Sequence, residues 1–257
     1  MVLNNIYIVP HGDELIDLPN EESRIMSNHI REVAKNENAD VILIISPHGI
    51  TLRNSIAVIN TENFYSNTKL KGLTVDFTAK NERELTESII NEIPDLCEEL
   101  RFSTYSGELS TFPLDFGTSI PLYFFKQRRI VVIGQPRIDD RKRLFEFGES
   151  LFSIVNKYKS NVSIIFSADQ AHTHSKNGPY GYSPLAKKYE DFVIGALKEG
   201  KMEVMRDIPK EFIESGKPDS YWNLLILSGL LKSSGKKMEY VYNYVQVYFG
   251  MMLARSV

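Results

Sequence analysis

Cysteine is all but missing from this chain: of 257 residues, only Cys97 carries a thiol. No intramolecular disulfide can form, and a zinc site built on several thiolates is excluded. Positive charge is not in surplus. Lys and Arg number 30 against 33 Asp and Glu, a formal net charge of −3, and no basic cluster stands out. The electrostatic footprint of a nucleic-acid surface is therefore lacking. No apolar run approaches membrane-spanning length, and the first residues show no basic stretch leading into an apolar one. A cytoplasmic protein with neither nucleic acid nor membrane as partner is the expectation. Internal repeats, low-complexity tracts and Gly/Ser linkers are missing as well, so one domain over residues 1–257 is expected. Histidine is scarce, with five residues in all. Its placement is therefore informative.

What is present is the material of a globular core, with 42% hydrophobic and 25% charged residues. Four short runs rich in β-branched residues, Ile6–Val9, Val41–Ile45, Ile130–Ile133 and Val162–Phe166, are apolar throughout rather than alternating. That is the pattern of strands buried on both faces of a sheet. Between them, apolar residues recur at three- and four-residue spacing. Ile25, Met26, Ile30, Val33 and Ala34 make one helical face, Leu85, Ile89 and Ile93 another, and Leu144, Phe147, Leu151 and Ile154 a third. Pro184 to Lys198 reads as a further helix stopped by Gly200. The alternation predicts an α/β fold with a central, largely parallel sheet flanked by helices. The pieces Ile56–Ile59, Leu73–Phe77 and Tyr240–Tyr248 suggest additional edge or antiparallel strands.

In open α/β sheets, ligands sit outside the carboxyl ends of the strands. Pro10-His11-Gly12 follows the first apolar run and Pro47-His48-Gly49 the second. The fourth leads into Ser167-Ala168-Asp169, with His172 and His174 shortly after. His11 and His48, in matching settings, are the candidate metal ligands. His172 suits a base, a ligand or a plain loop residue equally. His29 on its helix reads as structural or solvated, and His174 in its polar loop as solvated. Two imidazoles leave a divalent site incomplete, and a carboxylate would supply the third donor of a two-His-one-carboxylate face. Asp13, Glu14, Asp115, Asp169, Glu214 and Asp219 are all available, and spacing does not choose among them.

Several stretches taken in order resemble one family: "VPHG", "SPHG", "FPLDFGTSIPLYFF", "SADQAHTHSKNGPYGYSPLAKKYEDFV" and "DSYWNLLILSGLL". Together they are similar to the class III extradiol ring-cleavage dioxygenases, of the LigB catalytic-subunit type, with a more distant relation to Memo-like proteins. The resemblance implies Fe(II) bound by His11 and His48, with His172 as the acid/base beside it. The family's third ligand is a glutamate before the last apolar helix. Here Asp219 falls nearest that place, at the expected N-cap of the helix, while Glu214 lies before the glycine. The implied reaction is cleavage of a catechol-type aromatic ring next to its hydroxyls, with O2 as co-substrate. Asp115, Tyr180 and Tyr182 are implied as substrate contacts, and a homo-oligomer such as a dimer as the assembly.

The sequence departs from the family at three points. Asp115-Phe116-Gly117 stands where Asp-His-Gly is usual, Ser167-Ala168-Asp169 where Ser-Gly-Asp is usual, and an aspartate replaces the glutamate ligand. Phe116 can neither bind a metal nor carry a proton. Two alternatives therefore accompany the dioxygenase: a zinc-dependent hydrolase on the same ligands, and a non-catalytic Memo-like metal- or ligand-binding protein.

Overall fold

In the computed structural model, which describes residues 3–101 and 111–257, the four uninterrupted apolar runs lie side by side. The strands in chain order are β1 (Leu3–Val9), β2 (Val41–Ser46), β3 (Ile56–Ile59), β4 (Asn63–Leu70), β5 (Leu73–Asn81), β6 (Cys97–Leu100), β7 (Thr111–Pro113), β8 (Arg129–Gly134), β9 (Val162–Ser167), β10 (Met238–Gln246) and β11 (Phe249–Ser256). The helices are α1 (Glu14–Asp17), α2 (Glu21–Lys35), α3 (Arg83–Glu92), α4 (Phe116–Phe125), α5 (Arg141–Lys157), α6 (Leu185–Glu199), α7 (Lys210–Gly216) and α8 (Tyr221–Ser234). One mixed sheet runs β10-β11-β1-β9-β2-β8-β5-β4-β7, with β3 set against β8 and β6. Its centre, β1-β9-β2-β8, is parallel throughout. The α/β expectation holds.

The reason these strands are apolar along their whole length is visible in the core. Successive residues of β1 point to opposite faces, and both faces are covered. Ile6 and Ile8 enter one cluster with apolar residues of α5, α6 and α8. Tyr7 and Val9 enter the other with those of α2 and α4. Each such aliphatic side chain contributes roughly 1.5–3 kcal/mol by leaving water. Among the described residues no helix is long and apolar enough to cross a membrane.

Two expected strands are present with other bounds. Tyr240–Tyr248 belongs to β10, antiparallel and at the edge of the sheet as expected, but it ends at Gln246: the chain turns at Val247, with φ of +53°, and returns as β11. That strand is no edge. It lies between β10 and β1, and its residues Met251–Ala254 are buried. Similarly, Leu73–Phe77 is half of a hairpin, extending to Asn81 and turning through Gly72 from the unforeseen β4. The segment 116–125 is a helix, with Pro121 inside it and the Asp115 carboxylate accepting the Thr118 N–H at its N-cap.

The helix that carries the last site residue is held by close backbone packing. A Cβ on Gly229 of α8 would lie 1.9 Å from the Phe145 carbonyl oxygen of α5, and one on Gly148 would lie 2.0 Å from that of Ile226. Neither helix backbone can yield alone, because both are pressed on the sheet. Gly229→Ala should therefore destabilise the protein by roughly 1–3 kcal/mol through overpacking. A thermal melt checks this: the expected fall in Tm is several degrees, and an unchanged melt contradicts the packing argument.

Candidate metal centre

β1 and β2 do not pair with each other; β9 lies between them. Val9 is in register with Ser167, and Ile45 with Phe166. His11 and His48, each two residues past its strand, therefore flank the Ser167–Asp169 segment. Pro10 and Pro47 withhold the N–H that would continue the ladder, so the chain turns out of the sheet at these points. Asp219 arrives from the opposite direction, just ahead of α8. Its carbonyl accepts from Gln135 Nε2 at 2.6 Å, and the next residue, Ser220, donates its N–H to the Asp169 carbonyl at 3.1 Å. One turn on, Asn223 Nδ2 donates to the carbonyls of Ile45 (3.1 Å) and Ser167 (2.7 Å). The start of α8 is thus stitched across the ends of β2, β9 and β8.

Three donor atoms converge there. His11 Nε2 and His48 Nε2 are 3.1 Å apart, and Asp219 Oδ2 lies 3.3 Å from the first and 3.8 Å from the second. Two donors each about 2.1 Å from a common ion are separated by roughly 3.0 Å at a right angle and 3.4 Å at the tetrahedral angle. The spacing fits ligands of one cation. Tautomer fits too. Ser167 Oγ donates its only proton to the Gly117 carbonyl at 2.5 Å, so at 2.9 Å it can only accept from His11 Nδ1. The His11 Nδ1 must carry a hydrogen, which directs Nε2 at the cluster. Asp219 Oδ1 is buried with no hydrogen-bond partner among the described residues. A cation is one partner that would satisfy such an atom.

Electrostatics agree. Burial alone would lower the pKa of His11, but the Asp169 and Asp219 carboxylates outweigh it and raise the group to about 9. His48 moves the other way, down to about 4, through its own burial and the charge on His11. Asp169, whose Oδ1 accepts the His11 N–H at 3.1 Å, is pushed up to about 6 by burial, with Asp219 adding to it. The two carboxylates thus favour the protonated form of His11.

His11 and His48 line a cavity of about 520 Å³, together with Glu14, Lys69, Phe116, Asp169, His172, Tyr180 and Phe249 among others. His172 projects from the loop after β9. Its Nδ1 donates to the Lys217 carbonyl at 3.1 Å and its ring stacks on Phe249, with centroids 5.6 Å apart. Phe116 lies over His48 at 4.1 Å between centroids. Tyr180 is at the rim, 6.1 Å from the His172 ring. Tyr182 is 57% exposed and outside the lining.

Asp115 also falls outside that lining. It accepts from Ser46 Oγ, Thr118 N and Thr118 Oγ1. Through Ser46, which also accepts the His48 N–H, it braces the turn that carries His48. Glu214 is exposed on α7, beside Arg137 and Trp222 in a separate depression. Asp219 is not the N-cap: Ser220 holds that place, and no side-chain cap bond is formed. His174 is not solvated but sits in a buried pair with Glu190 at 2.7 Å, tying the loop to α6. Glu14 and the aromatics Tyr248 and Phe249 complete the cavity wall. No motif in the sequence marks the last two, because the turn after Gln246 that brings them to the cavity falls at the end of the expected Tyr240–Tyr248 strand.

The sequence signature of the family described as "Catalytic LigB subunit of aromatic ring-opening dioxygenase" matches residues 7–253. The chain is 26% identical over 261 residues to Protein CA_C1420 of Clostridium acetobutylicum, covering 93% of this chain and 54% of that protein. It thus spans about half the length of the curated relative it matches. The crystal structure of uncharacterized protein JW3007 from Escherichia coli K12 has the same fold. Its TM-score is 0.65 at 14% identity, with 98% of each chain covered.

Two measurements test the centre. Because Asp219 caps nothing, Asp219→Asn should keep the fold, its apoprotein melting somewhat lower for loss of the charge that faces His11, and bind divalent cations about tenfold or more weakly, having lost the anionic donor. Glu214→Gln should change neither; the reverse result assigns the wrong carboxylate. The second measurement is proton release. A cation must displace the His11 proton, whose pKa is about 9, so uptake at pH 7 should expel about one proton per ion. Affinity should rise as pH increases toward that value and level off above it. Calorimetry in buffers of different ionisation enthalpy reads the proton count directly, and a count of zero contradicts the assignment.

Proposed function

The chain belongs to the family of catalytic LigB subunits of aromatic ring-opening dioxygenases, and from this we propose that it is a non-haem Fe(II)-dependent dioxygenase that opens a catechol-type ring by the extradiol route with O2. The observation that carries the reading is the convergence of His11, His48 and Asp219 beneath an open cavity, with His172 beside them. Two imidazoles and one carboxylate on one face are the donor set suited to Fe(II), with the opposite positions left free. Fe(II), when bound, supplies a centre at which catechol and O2 meet and between which electrons pass.

The chain's own residues do the rest. Ser167 holds His11 in the ligating tautomer, and Asn223 fixes the approach of Asp219. Phe116 and Phe249 offer apolar faces between which an aromatic ring can lie, in a volume that suits one small ring compound. His172, with a proton already on Nδ1, has Nε2 free to take the catechol hydroxyl proton and return it as the ring opens. One observation favours a second reading. Phe116 puts a ring with no exchangeable proton against His48, where the family carries a histidine. Hydrolysis on zinc, or Memo-like binding without turnover, would not need that histidine.

Anaerobic loading with Fe(II), followed by a catechol panel, should give oxygen uptake and a yellow ring-opened product. His172→Ala should keep the iron and lose turnover by about a hundredfold or more. Full iron content with no oxygen uptake on any catechol defeats the dioxygenase reading. Loss of the iron from His172→Ala would make that residue a ligand of the centre instead of its proton carrier.

A further inference from the structure

The donors around Asp219 number more than one cation can use. We propose that the cavity takes a second divalent cation, held by Asp169, His172 and Asp219, with the Asp219 carboxylate shared between the two ions. The ligand atoms of these three residues lie within 4.8 Å of one another, as do those of His11, His48 and Asp219. Asp219 is the member common to both sets.

Each donor of the second set is prepared. Asp219 turns Oδ2 toward His11 and His48, and its Oδ1 is buried with no hydrogen-bond partner among the described residues. A carboxylate bridging two ions uses both oxygens, and the pair then sits about 3.5–4 Å apart. Asp169, 3% exposed, spends Oδ1 on the His11 N–H and turns Oδ2 into the space between the two donor sets, 3.5 Å from His11 Nε2. His172 gives its Nδ1 proton to the Lys217 carbonyl, which makes Nε2 the lone-pair nitrogen. This repeats the way Ser167 fixes His11: an acceptor behind the ring sets the tautomer in front of it.

Charge supports the count. Asp13, Glu14 and Asp169 line the cavity, and Lys69 is the one Lys or Arg among its described lining residues. With Asp219 these carboxylates number four, more than Lys69 and a single divalent ion together offset. The mixed nitrogen and oxygen donors suit a borderline ion such as zinc or cobalt. On the dioxygenase reading, an ion in this place occupies the nitrogen that carries the proton, so excess divalent cation inhibits. The binding itself does not rest on that reading.

The test is a metal count on chelator-stripped protein titrated with Zn(II), repeated with Co(II) to follow the visible spectrum of each equivalent. The parent should saturate at two ions, the second weaker, with distinct Co(II) spectra for the first and second equivalents. Asp169→Asn keeps an oxygen for the His11 N–H, so its fold is preserved, and it should bind one ion. His172→Ala should also bind one. Saturation of the parent at one ion overturns the second site, as do two ions retained in both variants. A single ion lost in part by Asp169→Asn makes Asp169 a fourth donor to the first ion, which also overturns it. The catechol assay is independent. Turnover in a protein that saturates at one ion sinks only this proposal, and saturation at two ions with no turnover when a single equivalent of Fe(II) is bound sinks only the dioxygenase.

Discussion

Ser167 has one hydroxyl proton, and where it goes decides what the site can be. It goes to the Gly117 carbonyl, which leaves the oxygen able only to accept from His11 Nδ1. From that bond follow the tautomer of His11, the direction of its Nε2 and the 3.1 Å approach to His48. Were the hydroxyl to rotate and donate to the ring, the hydrogen on His11 would move to Nε2 and point at the very place a cation must occupy. Gly117 belongs to the first turn of α4, which Asp115 caps while also holding Ser46. A helix cap, a strand end and a metal ligand are therefore parts of one hydrogen-bonded unit.

The other half of the site hangs on α8. That helix is apolar nearly all round, since it is packed between the sheet and α5. Two glycines let the α5 and α8 backbones approach so closely that the height of α8 above the sheet is set by main chain rather than by adjustable side chains. Asn223 then registers the helix against the ends of β2 and β9. Asp219, one residue before the N-cap, inherits that precision. Its carboxylate is spared capping duty because Ser220 takes the cap position, and the carboxylate remains free to face His11.

Gathering carboxylates beneath a dry wall costs folding energy. Burial raises the pKa of Asp169, and Glu14 is raised to about 7 by burial with Asp13 and Asp169 adding to it. A protein that sought only stability would place apolar side chains here. A divalent cation held by these carboxylates would offset that cost. The His174–Glu190 contact shows the contrasting case, a ring nitrogen and a carboxylate oxygen 2.7 Å apart satisfying each other to hold a loop in place.

Much of this was legible in the sequence, and for physical reasons. Strands covered on both faces are apolar at every residue, so β1, β2, β8 and β9 announced themselves, and helices pressed on them showed their period. His11 and His48 were legible because matching Pro-His-Gly settings past two strands imply one sheet edge. Asp219 emerged only through resemblance, and for a capping reason the helix does not bear out. Local pattern carries no information on which strands become neighbours. That β9 enters between β1 and β2, bringing Ser167 and Asp169 between the two histidines, is decided by how helices cover both faces of the sheet. The same holds for β11, whose antiparallel place beside β1 depends on a turn at Val247 that no glycine or proline marks. It holds too for His174, whose partner is sixteen residues away on a helix. Sequence alone determined the elements and the residue types able to bind metal. Tertiary structure decided which of them meet, because hydrogen-bond geometry and charge act across space and not along the chain.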